Sequence, residues 1–270
     1  MATLVETKDA KIMIDPGVNL AKKRYGLPPH PIEIEAKKQA WKDIEQCTAE
    51  SDIVIITHYH YDHYNPEANV EIFRDKVLLL KHPQISINRS QMRRAEVFIR
   101  KLKKIPTEII FCDGKEFFVG DTHILFSKPV YHGFESKLGY VIEVMVEEND
   151  ERFVFTSDVQ GLVRDDQLEF VMQTKPTIIF IDGPATYLLG QKISRNELEQ
   201  AFKNIVLVAN LPTVRKIILD HHFLRDIEWK RFVERYFDKN IKNKIITSAE
   251  YEGKAINILE AKRWALWKEK

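Results

Sequence analysis

Thr57-His58-Tyr59-His60-Tyr61-Asp62-His63-Tyr64 follows directly on Asp52-Ile53-Val54-Ile55-Ile56. The β-branched run reads as a buried strand, because branched side chains are stiff and suit a pleated surface packed on both faces. At its end the strand delivers His58-x-His60-x-Asp62-His63, three histidines and an aspartate within six positions. Packing does not account for that cluster. Neutral imidazole and carboxylate suit Zn²⁺ and other first-row ions of intermediate softness. The bland alternative is a solvated, histidine-rich loop.

Outward from this stretch, an apolar run ending in a ligand-type residue recurs four times. His132 follows Lys128-Pro129-Val130-Tyr131, and Asp158 follows Arg152–Ser157. Asp182 follows Thr177–Ile181, and Asp220-His221-His222 follows Lys216–Leu219. Strand ends that converge on one sheet edge are where a rigid scaffold assembles a site. Six of the nine histidines lie in these places. His30 and His82 each precede a proline and read as surface or turn residues, and His123 has no comparable setting.

The rest of the chain alternates strands and helices. A strand over Lys11–Ile14 ends at Asp15-Pro16-Gly17, a turn signal. Residues 31–47 read as a helix with Ile32, Ala36, Ala40 and Ile44 near four-residue spacing. Val77–Leu80 reads as a strand and 89–104 as an amphipathic helix burying Met92, Ala95, Ile99 and Leu102. Short strands over 108–112, 115–119, 122–127, 140–146 and 152–156 are separated by Asp-Gly, Gly-Asp and Glu-Asn-Asp turns. Alternation then resumes: strand 177–181, helix 195–209, strand 216–219, helix 227–237, strand 244–247 and a final helix toward Lys268. Helices after the early and late strands, with a meander between, predict an α/β (α+β) fold of four layers: two mixed sheets sandwiched between helices. No linker or repeat divides residues 1–270, which read as one domain.

Bulk properties exclude some classes. The 270 residues suffice for a large core, and a net charge of +1 provides no global field for nucleic acid or anionic membrane. Ile178–Ile181 and Ile217–Leu219 are too short to span a bilayer, and the start of the chain has no apolar signal core. A soluble, cytoplasmic protein is expected. Cys47 and Cys112 have neither CxxC spacing nor the number for a disulfide framework, so both read as reduced and structural.

His58-x-His60-x-Asp62-His63, a lone His132, a lone Asp158 and a late histidine together resemble the five-part metal motif of the metallo-β-lactamase superfamily. Asp15-Pro16-Gly17 looks like that superfamily's early Asp-x-Gly element. The resemblance runs from about residue 11 to about residue 225. The stretches His58–Pro66 and Leu219–His222 also resemble a mainly archaeal branch, for which no substrate is implied. The resemblance implies an αββα sandwich with two divalent metals, zinc first and Mn²⁺ or Fe²⁺ next. His58, His60 and His132 would hold one metal. Asp62, His63 and the late histidine would hold the other, with Asp158 bridging. His221 is favoured as the late ligand because it directly follows the strand and Asp220, whereas His222 would point the other way in extended chain. Asp62 would also take a proton. Asp15, Asp182, Asp220 and His222 are candidates for supporting the ligands or touching substrate.

Other readings stand beside these. Asp158 would otherwise merely cap a following helix, whereas Asp182 before Gly183-Pro184 would line the pocket or equally make a plain turn. Asp15 reads as a structural carboxylate rather than a ligand. Tyr59, Tyr61 and Tyr64 either stack on substrate or stiffen the loop. Arg89, Arg93, Arg94, Arg100, Lys101, Lys103 and Lys104 stand against one acid, Glu96; they form a solvated face or bind phosphates. The leading function is hydrolysis of an ester, lactone, thioester or similar bond in a small molecule. A phosphodiesterase or nuclease acting on RNA or DNA is the alternative. A catalytically silent metal-binding protein or a di-iron redox protein comes third. Di-iron sites of this fold resemble an HxExDH variant, and position 60 is histidine.

Overall fold

The computed structural model describes residues 1–102 and 105–268. Strands β1 (Thr3–Glu6), β2 (Lys11–Ile14), β3 (Ile53–Ile56), β4 (Val77–Leu80) and β5 (Glu108–Phe111) form a five-stranded sheet in sequential order. β1 is antiparallel to β2, and the other pairs are parallel. Helix α1 (Pro31–Glu50) crosses between β2 and β3, and α2 (Arg89–Leu102) crosses between β4 and β5.

The second sheet has seven strands. β6 (Glu116–Val119), β7 (Thr122–Phe126), β10 (Val144–Glu148) and β11 (Glu151–Phe155) form its antiparallel part. β12 (Ile178–Asp182), β13 (Lys216–Asp220) and β14 (Ile245–Ile246) continue it in parallel beyond β11. A two-stranded ribbon, β8 (Val130–Tyr131) with β9 (Tyr140–Val141), lies beside it. Helices α3 (Asp165–Thr174), α4 (Arg195–Ala209) and α5 (Trp229–Tyr236) follow β11, β12 and β13.

Side-chain alternation along the strands builds the layers. Ile53 and Ile55 face the space between the sheets, where they join Ile124, Phe126, Val144, Phe155, Phe180 and Ile218. Val54 and Ile56 face the other way, onto Ala95, Phe98 and Leu102 of α2. In the second sheet, Phe180 and Ile218 point inward. Ile179, Ile181, Ile217 and Leu219 point outward, onto Val171, Leu198, Phe202 and Ile205. Three apolar interfaces separate four layers in the order αββα, as predicted. Each fully buried aliphatic side chain contributes about 1.5–3 kcal/mol, which is why both faces of the central strands are apolar.

Several elements differ from the sequence reading. β1 was not anticipated, and the run predicted over 140–146 is split by Ile142 and Glu143 into β9 and β10. The predicted final helix shrinks to Arg263–Leu266, because that segment is held by long-range side-chain contacts rather than by its own turns. Ile32 is exposed on α1, and the neighbouring Glu33 is buried instead, paired with Arg263. The predicted helix 89–104 is seen to Leu102, with Gln91, Ala95, Phe98 and Leu102 buried; Lys103 and Lys104 lie outside the described residues.

Parallel strands bring their C-terminal ends to one edge, and this positions the site. β2 and β3 from one sheet, and β11, β12 and β13 from the other, all end there.

Candidate metal centre

β3 ends in Thr57, and the chain at once becomes a tight loop whose His63 and Tyr64 N–H groups both return to the His60 carbonyl, at 3.0 and 3.2 Å. The loop is fastened from below by Asp15, which follows β2. Asp15 accepts from the Thr57 N–H at 2.7 Å, from the Thr57 hydroxyl at 2.6 Å, and pairs with His63 Nδ1 at 2.7 Å. Holding Nδ1 leaves Nε2 of His63 as the free ligand atom. Gly17 is needed for that approach: a Cβ there would lie 2.4 Å from the Tyr64 nitrogen and 2.6 Å from the His63 carbonyl carbon. Backbone cannot yield as a side chain can.

Three groups of ligand-type atoms share Asp158. His58, His60 and His132 join it on one side and Asp62, His63 and His221 on the other, while Asp182, His221 and His222 make an overlapping third. Oδ2 of Asp158 lies 3.0 Å from His132 Nε2 and 3.6 Å from His58 Nε2. Its Oδ1 lies 3.0 Å from His63 Nε2 and 3.4 Å from His221 Nε2. Asp62 Oδ2 stands 3.8 Å from His221 Nε2. Asp158 does not cap α3, whose N-cap is Arg164.

The late histidines depart from the extended geometry expected of them. His221 takes φ +57°, a left-handed conformation that a non-glycine residue adopts at a cost. Asp220 holds that turn: Oδ1 accepts from the His221 N–H at 2.6 Å, and Oδ2 from the Ser248 N–H and hydroxyl at 2.8 and 2.5 Å. Both rings therefore reach the site, with centroids 4.5 Å apart. His221 joins the Asp62–His63 group. His222 is tied to Asp182, whose oxygens lie 2.9 and 3.0 Å from its Nδ1 and also accept from the His222 and Gln160 N–H groups.

Burial sets the protonation states. It drives His58 well below the usual imidazole range. It also brings His60 and His222 down to about 3 and His221 to about 4, so these rings are neutral, as ligands must be. His63 is the exception. Burial opposes its charge, but Asp158 and Asp15 outweigh burial and raise it to about 10. Burial and the nearby Asp158 carboxylate push Asp182 up to about 7.

The donor set fits divalent metal. Nε2 of His58, His63 and His221 and Oδ1 of Asp158 are buried and have no hydrogen-bond partner among the described residues. Buried polar atoms left unpaired are costly, and these converge on one place. His58, His60 and His132 present only nitrogen, whereas the other group adds the Asp62 carboxylate.

The tyrosines divide. Tyr59 and Tyr64 are core residues, and the Tyr59 hydroxyl donates to the Lys81 carbonyl at 2.6 Å; Tyr61 is exposed beneath Arg94, 4.4 Å from its ring centre. Two supporting residues escaped the sequence reading. Buried Gln91 accepts from the Tyr59 N–H at 3.0 Å and donates to the Leu138 carbonyl at 2.7 Å. Ser157 meets the Thr57 hydroxyl at 2.6 Å. Neither carries a local signal, because each acts only through residues far away in sequence.

A family model for the metallo-beta-lactamase superfamily matches residues 1–65. A UPF0282 protein of Korarchaeum cryptofilum is 47% identical over 269 residues, covering 99% of this chain and 89% of the relative. Another from Metallosphaera sedula is 44% identical, covering 98% and 87%. Among solved structures, an isothiocyanate hydrolase from Delia radicum gut bacteria superposes with a TM-score of 0.58 at 17% identity, over 91% of this chain and 92% of that one. The metallo-beta-lactamase fold protein YhfI of Bacillus subtilis gives 0.52 at 15%, over 92% and 88%. At such identities the structural likeness concerns the fold. No helix among the described residues is long and apolar enough to cross a membrane. With sequence relatives matching nearly end to end and the αββα layers shared with those neighbours, the chain belongs to the UPF0282 family of the metallo-β-lactamase superfamily.

Proposed function

We propose that this protein is a hydrolase using two divalent cations, zinc by the chemistry of its donors, to cleave an ester, lactone, thioester or similar bond of a small molecule. His58, His60 and His132 would hold one ion and Asp62, His63 and His221 the other, with Asp158 shared between them. The observation that carries this reading is the convergence of the unpaired, buried Nε2 atoms of His58, His63 and His221 on the two oxygens of one carboxylate. When bound, such a pair of ions makes water acidic near neutral pH and polarises the bond under attack.

The chain's own groups do the rest. Asp62 is the more accessible carboxylate, its side chain 24% exposed against 2% for Asp158. It is therefore the one that takes the proton released as water adds. His222, fixed through Nδ1 by Asp182, keeps Nε2 for contact with substrate. Tyr61 forms part of the rim.

A nuclease reading takes support from the exposed Arg89, Arg93, Arg100 and Lys101 on α2. Elemental analysis combined with a panel of aryl ester, lactone and bis-aryl phosphate substrates tests both readings. Wild-type protein is expected to carry about two metals per chain and to turn over an ester or lactone. His60→Ala and Asp158→Ala should cut metal content and lower kcat/KM by more than the roughly 10–100-fold typical of an outer ligand-supporting partner. Full metal occupancy in both variants would refute the ligand set. Turnover confined to the phosphodiester would favour the nuclease.

A further inference from the structure

A cationic side chain reaches the candidate centre. Arg225 lies four residues past His221, and its Nη2 stands 3.4 Å from Asp62 Oδ2. It is braced from behind. Its Nε lies 3.8 Å from Glu260 Oε1, and the Tyr187 phenol sits beside the guanidinium. Arg24 donates from Nη2 to the Arg225 carbonyl, stacks on Tyr187 at 4.4 Å, and lies 4.0 Å from the same Glu260 oxygen.

Glu260 itself is placed by a long-range clamp. Arg263, fully buried, grips both carboxylate oxygens of Glu33 at 2.9–3.0 Å and donates to the Ala21 carbonyl at 2.8 Å. The C-terminal segment is thereby fastened across the loop that carries Arg24.

The charges here do not balance. Two guanidinium groups share the single carboxylate of Glu260. Among the described residues, the only other acid paired with Arg225 is Asp62, which the proposed metal also claims. Arg24 Nε, on a side chain only 8% exposed, has no hydrogen-bond partner among the described residues, and neither has Glu260 Oε1. Ideal pairing would have used both. Arg225 is 21% exposed at its side chain, so it is held in place yet open to a ligand. A guanidinium with spare donors in a partly desolvated setting is the group that best receives a planar or tetrahedral oxyanion.

We propose that Arg225, positioned by Glu260 and Arg24, binds an anionic group of the substrate, carboxylate or phosphate, beside Asp62. The molecule hydrolysed is then an acid rather than a neutral ester. The identity of the bond cleaved rests on the hydrolase reading above; the anion site does not.

The test uses the full chain loaded with Zn²⁺, as wild type, Arg225→Met, Arg225→Lys and Glu260→Gln, each checked for metal content. Equilibrium binding of glutarate and of inorganic phosphate is measured separately, so the two sources of anion are told apart. Kinetics compare phenyl acetate with its 4-carboxyphenyl analogue. Arg225→Met should weaken one of the two anions by about tenfold or more, the scale of a lost charge-assisted hydrogen bond. It should also lower the anionic-to-neutral ratio of kcat/KM by a similar factor, mostly through KM. Arg225→Lys should recover part of the binding, and Glu260→Gln should give a smaller loss with the same selectivity. Equal losses on both esters, or unchanged affinity for both anions, would overturn the proposal. If wild type cleaves neither ester, the binding arm decides: anion affinity that depends on Arg225 upholds the site while the hydrolase reading fails.

Discussion

Asp15 and Asp182 occupy matching places in the two sheets, and their differences are instructive. Each is a fully buried carboxylate at the end of a parallel strand, β2 or β12. Asp15 accepts one backbone N–H and Asp182 two, and each fixes the Nδ1 of a histidine in the centre. Yet the first histidine, His63, is driven to about 10 and carries charge, whereas His222 falls to about 3 beside an Asp182 raised to about 7. The cause is the neighbourhood. His63 lies between two carboxylates, Asp15 and Asp158, while His222 meets one that already feels Asp158 and has Arg225 nearby. One half of the centre is an ion-paired frame around a histidine that must give up its Nε2 proton before it can hold a metal. The other is a nearly neutral pair, the one proposed above to meet substrate.

The sharpest way to break this contrast is to remove the late histidines one at a time. His221→Ala should reduce bound metal from about two to about one per chain, because Asp62 and His63 cannot complete a site without it. His222→Ala should keep both metals and lose turnover. Elemental analysis beside kinetics reads the difference, and equal metal loss in both variants would erase it.

Next in size is the pair of anchors. Asp15→Asn removes the partner that orients His63 and should weaken metal binding by roughly 10–100-fold, measured by competition with a chelator. Asp182→Asn should leave metal affinity closer to wild type while lowering kcat/KM. If both variants weaken metal equally, the two anchors play one role, not two.

Gly17→Ala probes the frame without touching a ligand. Forcing a methyl group against the His63–Tyr64 backbone should cost about 1–3 kcal/mol, read from urea unfolding, and should disturb the Asp62–His63 group first.

A separate, pH-dependent effect concerns Glu143, at the break between β9 and β10. Both its oxygens are buried without a hydrogen-bond partner among the described residues, and burial, aided by Asp166, holds its acid well above the ordinary carboxylate range. Below that range folded and unfolded chains are both protonated, and the group is neutral in its effect. As pH rises through the range the unfolded chain ionises first, so stability falls until the folded carboxyl also ionises. Glu143→Gln should remove that fall, a slope of up to about 1.4 kcal/mol per pH unit. Melting temperatures of variant and wild type should diverge with increasing pH; parallel curves would contradict the buried acid.

Legibility in the sequence followed the same division. His58, His60, Asp62 and His63 stand in one stretch after one strand, so their spacing alone shows that they meet. The αββα layering was equally readable, since apolar runs such as Ile53–Ile56 and Ile178–Ile181 need cover on both faces. His132 and Asp158 were legible only through their order in the chain. Arg225, Glu260, Gln91 and Ser157 carry no periodic or spacing signal, because their partners lie tens to hundreds of positions away.

By itself, then, the sequence determined the kind of fold, the strand-end origin of the candidate ligands and the chemistry of their donor atoms, all of which depend on residue type and local spacing. Tertiary structure alone decided which buried acid holds which histidine, and how φ +57° at His221 turns two adjacent rings into one site. It also decided that a C-terminal glutamate braces an arginine at the rim. Those outcomes come from packing two sheets and a distant tail together, and no run of neighbouring residues encodes them.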